Sequence, residues 1–385
     1  MIKFAVRRNL IYPLQLLLWN FLRDTESSLI NHFFEVKGFL IYTFLMFLGE
    51  FLAGLIFYSL LRHYVKGHNK GDSEQFMNIK YIHNERYFSR RMDIKAYFLI
   101  FASSFSDFIQ FTIFYELRKY GTISKSLEQR LRINFTLYNA LFYYYVIKLP
   151  LFKHHIFSLI TICICFFIIV ITESFFQEFD IFLSYRQFAE ALSIMLFIQF
   201  GNALIESIEK YLYEYYQLVP FYVLMFQGFF GSIITIIYYI IYSPFDEIIQ
   251  FYKKRTTSEF IILIFAFLLF VILSGGKNLF RVVTTKIFSP MTTTFMDYIL
   301  NPLYIIFYFV TGYDFITNGK RNYLYFILNL IIAFITSICG AVYNEFLILF
   351  CCGLERETHN QIVQRSDIER ELSFLNEEED EISVE

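Results

Sequence analysis

Apolar residues do not alternate with polar ones along this chain; they gather into runs long enough to cross a bilayer, separated by short polar stretches. A span needs roughly 20 consecutive apolar residues, because the hydrocarbon core is about 30 Å thick and a helix rises about 1.5 Å per residue. Nine runs meet that pattern: 40–61, 97–117, 131–147, 156–171, 188–208, 219–242, 260–273, 287–310 and 323–350. A tenth, 9–23, is short and broken by Pro13 and Asn20. So many uniformly apolar stretches cannot all be core helices of one soluble domain. The pattern predicts an all-α polytopic membrane protein of about ten transmembrane helices.

Two features of the pattern give it internal organisation. Met46-Phe47-Leu48-Gly49-Glu50 lies inside the first good run, and Met225-Phe226-Gln227-Gly228 echoes it in the second half of the chain. The fourth helices of the two halves also open alike, on Ser126-x-x-Gln129 and Ser289-x-x-Thr292. Ten helices divide into five plus five, and an odd number per half inserts the second half upside down. The expected organisation is therefore a first five-helix repeat over 1–185, a second over 186–352, and an acidic, disordered tail over 353–385.

Composition agrees: 56% of the 385 residues are hydrophobic and only 18% charged, against about 25% charged in soluble domains. The net charge of −2 gives no electrostatic case for nucleic acid. Basic residues are densest between 62 and 95, and the loop at 172–180 has none. With ten spans, the positive-inside rule places both ends in the cytosol. Lys3, Arg7 and Arg8 precede the first apolar stretch, but no small-residue cleavage site follows, so that stretch reads as a retained helix. If it does not span, nine helices put the tail on the other side. The sequon Asn134-Phe135-Thr136 falls within a predicted span, out of reach of glycosylation.

The five cysteines (Cys163, Cys165, Cys339, Cys351 and Cys352) show neither metal-ligand spacing nor the placement of extracellular disulfides. Cys351-Cys352, beside the tail, reads as helix packing or as a palmitoylation site. His154-His155 in a short turn lacks further ligands and reads as structural. No nucleophile elbow or metal-ligand set is present, so no enzyme and no cofactor are expected.

Several of these segments resemble the drug/metabolite transporter superfamily, specifically the solute carrier 35 group F-like branch related to nucleotide-sugar transporters. The resemblance rests on Leu45-Met46-Phe47-Leu48-Gly49-Glu50-Phe51, Asp107, Ser126-x-x-Gln129-x-Leu131-Arg132, Glu209-Lys210 and Phe226-Gln227-Gly228-Phe229-Phe230-Gly231. It continues through Asn278, Thr285-Lys286, Ser289, Thr292 and Asp297 to Tyr343-Asn344-Glu345, Cys352-Gly353-Leu354, Thr358, Ile362 and Arg365. The chain departs from that pattern at Gln227 (glutamate in the family), Arg281 (glycine), Thr293 (arginine) and Leu300-Asn301 (an Arg-Thr pair). The resemblance implies a secondary carrier of a small polar or anionic metabolite in an endomembrane: Golgi, endosome, lysosome or vacuole. The departures leave open a transport-inactive descendant that serves as a structural subunit of a membrane complex. A homodimer is also left open.

A charged side chain at membrane depth costs about 2.5–3.5 kcal/mol on insertion scales, so such residues face partners, a cavity or a ligand pathway. On that ground Glu50, Asp107, Arg132, Lys286, Asp297 and Glu345 are the ionisable groups expected to face the interior. Glu50, Asp107, Gln129, Arg132, Gln227, Lys286 and Asp297 are the candidates for binding or gating. Arg132 and Lys286 suit an anionic ligand, though both lie near helix ends, where long basic side chains also snorkel to headgroups. Glu50 reads equally as a structural acid and as a coupling group, and Glu345 as structural or interfacial. Asp297, flanked by Pro290 and Pro302, is the expected binding residue, because Pro302 frees a carbonyl one turn away.

Overall fold

A computed structural model describes residues 2–4, 10–34, 39–67, 93–119, 130–131, 133–146, 148, 151–176, 185–242, 253, 255–311, 316–317, 320–349 and 354. Ten helices of 13 residues or more lie among them: α1 (Ile11–Phe34), α2 (Phe39–Gly67), α3 (Ile94–Lys119), α4 (Ile133–Tyr145), α5 (Lys153–Phe176), α6 (Tyr185–Glu214), α7 (Pro220–Tyr242), α8 (Thr257–Ile287), α9 (Pro290–Thr311) and α10 (Tyr323–Tyr343). Eight of them, all but α1 and α4, are long and apolar enough to cross a membrane.

The distribution of side chains is that of a protein in lipid. Phe265 is 67% exposed and Phe334 51%, whereas Glu209 is fully buried and Gln227 is 2% exposed. Water would reverse that order; hydrocarbon enforces it, because an apolar surface costs nothing there and a polar one must find a partner inside. The protein is thus a multi-pass integral membrane protein.

Helix α2 packs along α7 and α8, α1 along α8 and α9, and α3 along α6 and α7. Helix α5 packs on α10, α4 on α5, α6 and α9, and α9 on α10. Lipid offers no hydrophobic drive between helices, so close approach through small residues supplies the packing. Gly54 lies against the Met225 backbone and Gly228 against the backbone of Phe51, which brings α2 and α7 into contact at the main chain. Gly49 and Gly275 do the same for α2 and α8. One apolar core joins α4, α5, α6, α9 and α10 through Ile162, Met195, Phe295 and Tyr298, and a second joins α3, α6, α7 and α8 through Ile100, Leu212, Leu224 and Val282.

Helix boundaries follow local signals where tertiary pairing does not override them. Thr256 and Glu259 form a capping box at the start of α8, which satisfies two otherwise unpaired backbone N–H groups. Ser289 caps α9 by accepting from Thr292 N, and Asn322 caps α10 by accepting from Tyr325 N. Glu345, at a φ of 56°, turns the chain out of α10 into β4 (Leu347–Leu349), which pairs antiparallel with β1 (Ile2–Phe4). A two-residue pairing of β2 (Ile316–Thr317) with β3 (Lys320–Arg321) lies between α9 and α10.

Three boundaries differ from the hydropathy reading. The weak stretch 9–23 is part of a longer helix, α1, whose interruptions are compensated in place: Arg23 pairs with Asp24, which also accepts from Tyr304 on α9. The run 260–273 is only the first half of α8, because Lys277, Asn278, Arg281 and Lys286 continue the helix with polar side chains. The run 323–350 ends early, as α10 stops at Tyr343. The sequon residues Asn134 and Thr136 are buried. Most of the basic loop 62–95 and nearly all of the tail after 353 lie outside the described residues.

Candidate functional site

Helix periodicity places polar and charged side chains on inward faces of three helices. On α3, Ser103, Asp107 and Gln110 follow at i, i+4 and i+7, hence on one face. On α6, Glu206 and Glu209 are separated by one turn, as are Asn278 and Arg281 on α8. The fold brings these faces together with Glu50 of α2 and Gln227 of α7.

The centre of the cluster is an ion pair. Arg281 Nη1 donates to Glu209 Oε1 at 2.8 Å and to Oε2 at 2.7 Å. Gln227 Nε2 adds a third hydrogen bond to Glu209, at 2.8 Å, and also donates to Ser103 Oγ. Asn278 Nδ2 donates to Glu50 Oε1 at 2.8 Å, and Arg281 Nε approaches Asn278 Oδ1 at 3.4 Å. The two halves of the chain therefore exchange polar contacts: Glu50 on α2 reaches α8, and Gln227 on α7 reaches α3. Asp107 differs from its neighbours. It lies in the field of Arg281, Glu209 and Lys277, yet makes no hydrogen bond or ion pair among the described residues and remains partly exposed.

An adjoining layer lies between α4, α6 and α9. Asn139 Nδ2 donates to Glu206 Oε2 and to Thr294 Oγ1, both at 3.0 Å, while the Thr293 hydroxyl donates to the Pro290 carbonyl at 2.6 Å and lies 3.4 and 3.3 Å from the two Glu206 oxygens.

Glu209 lies five residues before the end of α6 and Arg281 six before the end of α8, about 8–9 Å inside those ends. Two lysines occupy the space between. Lys210 Nζ, from α6, donates to the carbonyls of Thr285 and Lys286 at the end of α8. Lys286 Nζ, from α8, donates to the carbonyl of Tyr213 at the end of α6, at 2.8 Å. Each helix thus caps the other's unpaired C-terminal carbonyls with a cation, a doubly favourable arrangement at the negative end of the helix dipole. Lys286→Met is expected to lower stability by about 1–2 kcal/mol, measurable as an earlier thermal transition in detergent. An unchanged transition would contradict the capping role.

Of the residues singled out from sequence, the structure brings Glu50, Asp107 and Gln227 together. It places Lys286 at the helix ends instead. Asp297 is on α9, but its side chain, together with Gln129 and Arg132, lies outside the described residues. Glu345 sits beyond α10 with its carboxylate 3.5 Å from His154 Nε2, and His155 packs against the Tyr343 ring, tilted by 31°. Both histidines, expected in a short turn, lie instead in the first turn of α5 and, with Glu345, join it to the end of α10. Among the described residues no group of three His, Cys, Asp or Glu side chains is placed to hold a metal ion.

Glu206, Glu209, Arg281 and Asn139 are not among the site candidates named from sequence, where Glu209 enters only in the Glu209-Lys210 pair of the resemblance. Glu206 carried a usable signal, being one turn from Glu209 in an apolar helix. A second buried network, Arg130 with Glu173 at 3.1 Å and both with the Tyr325 hydroxyl, ties the residues just before α4 and helix α5 to α10.

A scan against protein-family models finds no match, and neither does a comparison with curated proteins.

Proposed function

We propose that the protein is a secondary transporter that moves a small polar solute by alternating access between two inverted five-helix halves, α1–α5 and α6–α10. The observation that carries this reading is the charged cluster of Glu50, Asp107, Glu209, Gln227 and Arg281, set inside membrane helices and shared between the halves. Side chains this costly to bury mark ligand and ion pathways, and carriers place theirs at the interface between repeats.

The packing pattern supports the halves. Exchanging each helix with the one five places on leaves the main contacts in place. Helices α2–α7, α4–α9 and α5–α10 map onto themselves. The contact α1–α8 maps onto α6–α3, α2–α8 onto α7–α3, α1–α9 onto α6–α4, and α9–α10 onto α4–α5. The antiparallel pairing of β1 with β4 requires an even number of crossings between them. Eight spans and ten both satisfy that parity; ten require α1 and α4 to cross as well, and α1 has 24 residues and α4 13. The excess of basic residues then sets the ends of the chain in the cytosol.

The resemblance to the drug/metabolite transporter superfamily supports the same reading and, with it, an endomembrane location and no enzymatic role. In this account the glycine contacts between α2 and α7 are the pivot, and the Lys210–Lys286 layer closes the site toward the ends of α6 and α8.

Arg281 favours a second reading. It stands where the resemblance has glycine, and its Nη1 is paired with both oxygens of the buried Glu209, as a structural subunit would have it. Counterflow separates the two. Purified protein in liposomes preloaded with a mixture of small metabolites should exchange at least one of them for its labelled form. Asp107→Asn should exchange it at least ten-fold more slowly while keeping its helical circular dichroism. Absence of exchange, with the protein extracted only in a stoichiometric complex with other membrane proteins, would establish the structural role instead.

A further inference from the structure

Resting on the carrier reading, we propose that the bodies that move are two bundles drawn from both halves, α2-α3-α7-α8 and α4-α5-α9-α10, with α6 as the lever between them. The helix contacts divide that way. Within the first bundle α2 packs on α7 and α8, and α3 on α7; within the second, α5 packs on α10, α4 on α5 and α9, and α9 on α10. Apart from α1 and α6, the main direct contact between the bundles is that of α8 with α9, which follow each other through Phe288-Ser289. Both the α2–α7 pivot and the α5–α10 contact lie inside a bundle, so neither opens as the bundles part.

Helix α6 belongs to both. Its Met195 and Ile198 are buried in the core shared by α4, α5, α9 and α10, and its Leu212 and Tyr213 in the core of α3, α7 and α8. The helix passes from one core to the other between Ile198 and Leu212, a rise of about 21 Å. Glu206 and Glu209 stand in that interval, one turn apart, and each is held by a different bundle. Asn139 of α4 donates to Glu206, whereas Gln227 of α7 and Arg281 of α8 donate to Glu209. Helix α1, which the five-place exchange maps onto α6, bridges in the same way: Trp19 lies against Gly276 of α8, and Asp24 accepts from Tyr304 of α9. Close-packed cores shift between discrete arrangements rather than deforming, so each bundle moves as a body. The seam is polar where α6 crosses it, and a polar seam can admit water without exposing apolar surface.

The test measures distances between paired spin labels by pulsed electron paramagnetic resonance, with the protein in lipid nanodiscs and its native cysteines replaced. Phe175 on α5, Ile240 on α7 and Tyr323 on α10 are all exposed and accept labels without touching a core. Phe175→Cys with Tyr323→Cys spans the two halves within one bundle; Ile240→Cys with Tyr323→Cys spans the two bundles within one half. The first pair should give a single distance and the second pair two. Glu206→Leu, which releases α6 from α4, should change the proportions of those two at least about three-fold and leave the first pair unmoved. Asn139→Leu, read alongside, guards against a Glu206 variant that fails to fold. A single Ile240–Tyr323 distance, unmoved by either variant, would overturn the proposal, as would a Phe175–Tyr323 distance that varies as much. Counterflow with a fixed Ile240–Tyr323 distance would refute the bundles and leave the carrier standing. Two distances without any flux would do the reverse.

Discussion

Arg281→Met will unfold the protein under detergent conditions that leave the wild type intact, and adding Glu209→Gln will restore most of the loss. The single change strands Glu209, fully buried, without its cation. Removing one partner of a buried pair costs about 3–5 kcal/mol, because the remaining charge is left uncompensated, whereas neutralising both is often close to neutral. Glutamine at 209 keeps an acceptor for Gln227, so the α6–α7 hydrogen bond survives in the double variant. Unfolding free energies of the four proteins in a double-mutant cycle should give a coupling of at least about 2 kcal/mol. Additive effects would mean that the pair contributes no mutual stabilisation, and the cluster would then need another explanation for its burial.

Gly228→Val is expected to be as damaging, for a steric reason. A Cβ at 228 would fall on the backbone nitrogen of Phe51 and 2.6 Å from the Phe47 carbonyl oxygen. Overpacking that side chains can absorb costs about 1–3 kcal/mol. Here the obstacle is the main chain of α2, which cannot rotate away, so α2 and α7 must separate along their whole contact. The expected cost exceeds about 3 kcal/mol, seen as loss of monodisperse protein on gel filtration. Phe229→Val, one residue on but 43% exposed to lipid, should remain within about 0.5 kcal/mol of the wild type. Comparable behaviour of the two variants would show that the α2–α7 crossing is looser than described.

These two predictions also mark what the sequence could and could not convey. The spans were legible because a bilayer demands long apolar runs whatever they pack against. Helix α1 is faint in the sequence because Asn20, Arg23, Asp24 and Glu26 interrupt its hydropathy, and the compensating contacts come from itself and from Tyr304, 280 residues from Asp24. The second half of α8 was lost for a related reason: its polar residues point inward, and only α2 and α6 reveal that. At the site, Glu50, Asp107 and Gln227 could be singled out by the cost of burying them, a local property of a residue in an apolar run. The partnership of Arg281 with Glu209 spans 72 residues and has no local signature; from sequence Arg281 is only a departure from glycine. Lys286 looked like the acids in sequence, yet a lysine near a helix end has a second use, capping carbonyls, which is the one the structure gives it.

The central claim is that the Glu209–Arg281 cluster lies on a path that opens to each side of the membrane in turn. In a background with the five native cysteines replaced, Ser103→Cys places a small thiol against Gln227 with little change in volume. Labelling with a membrane-impermeant thiol reagent, applied from one side of oriented vesicles and then from the other, measures access directly. The account predicts reaction from both sides. Reaction from the side of the α6 and α8 ends should quicken several-fold when Lys210 and Lys286 are both changed to Met. Protection from both sides under every condition, with or without the lysines, would contradict it and identify the cluster as a sealed structural core.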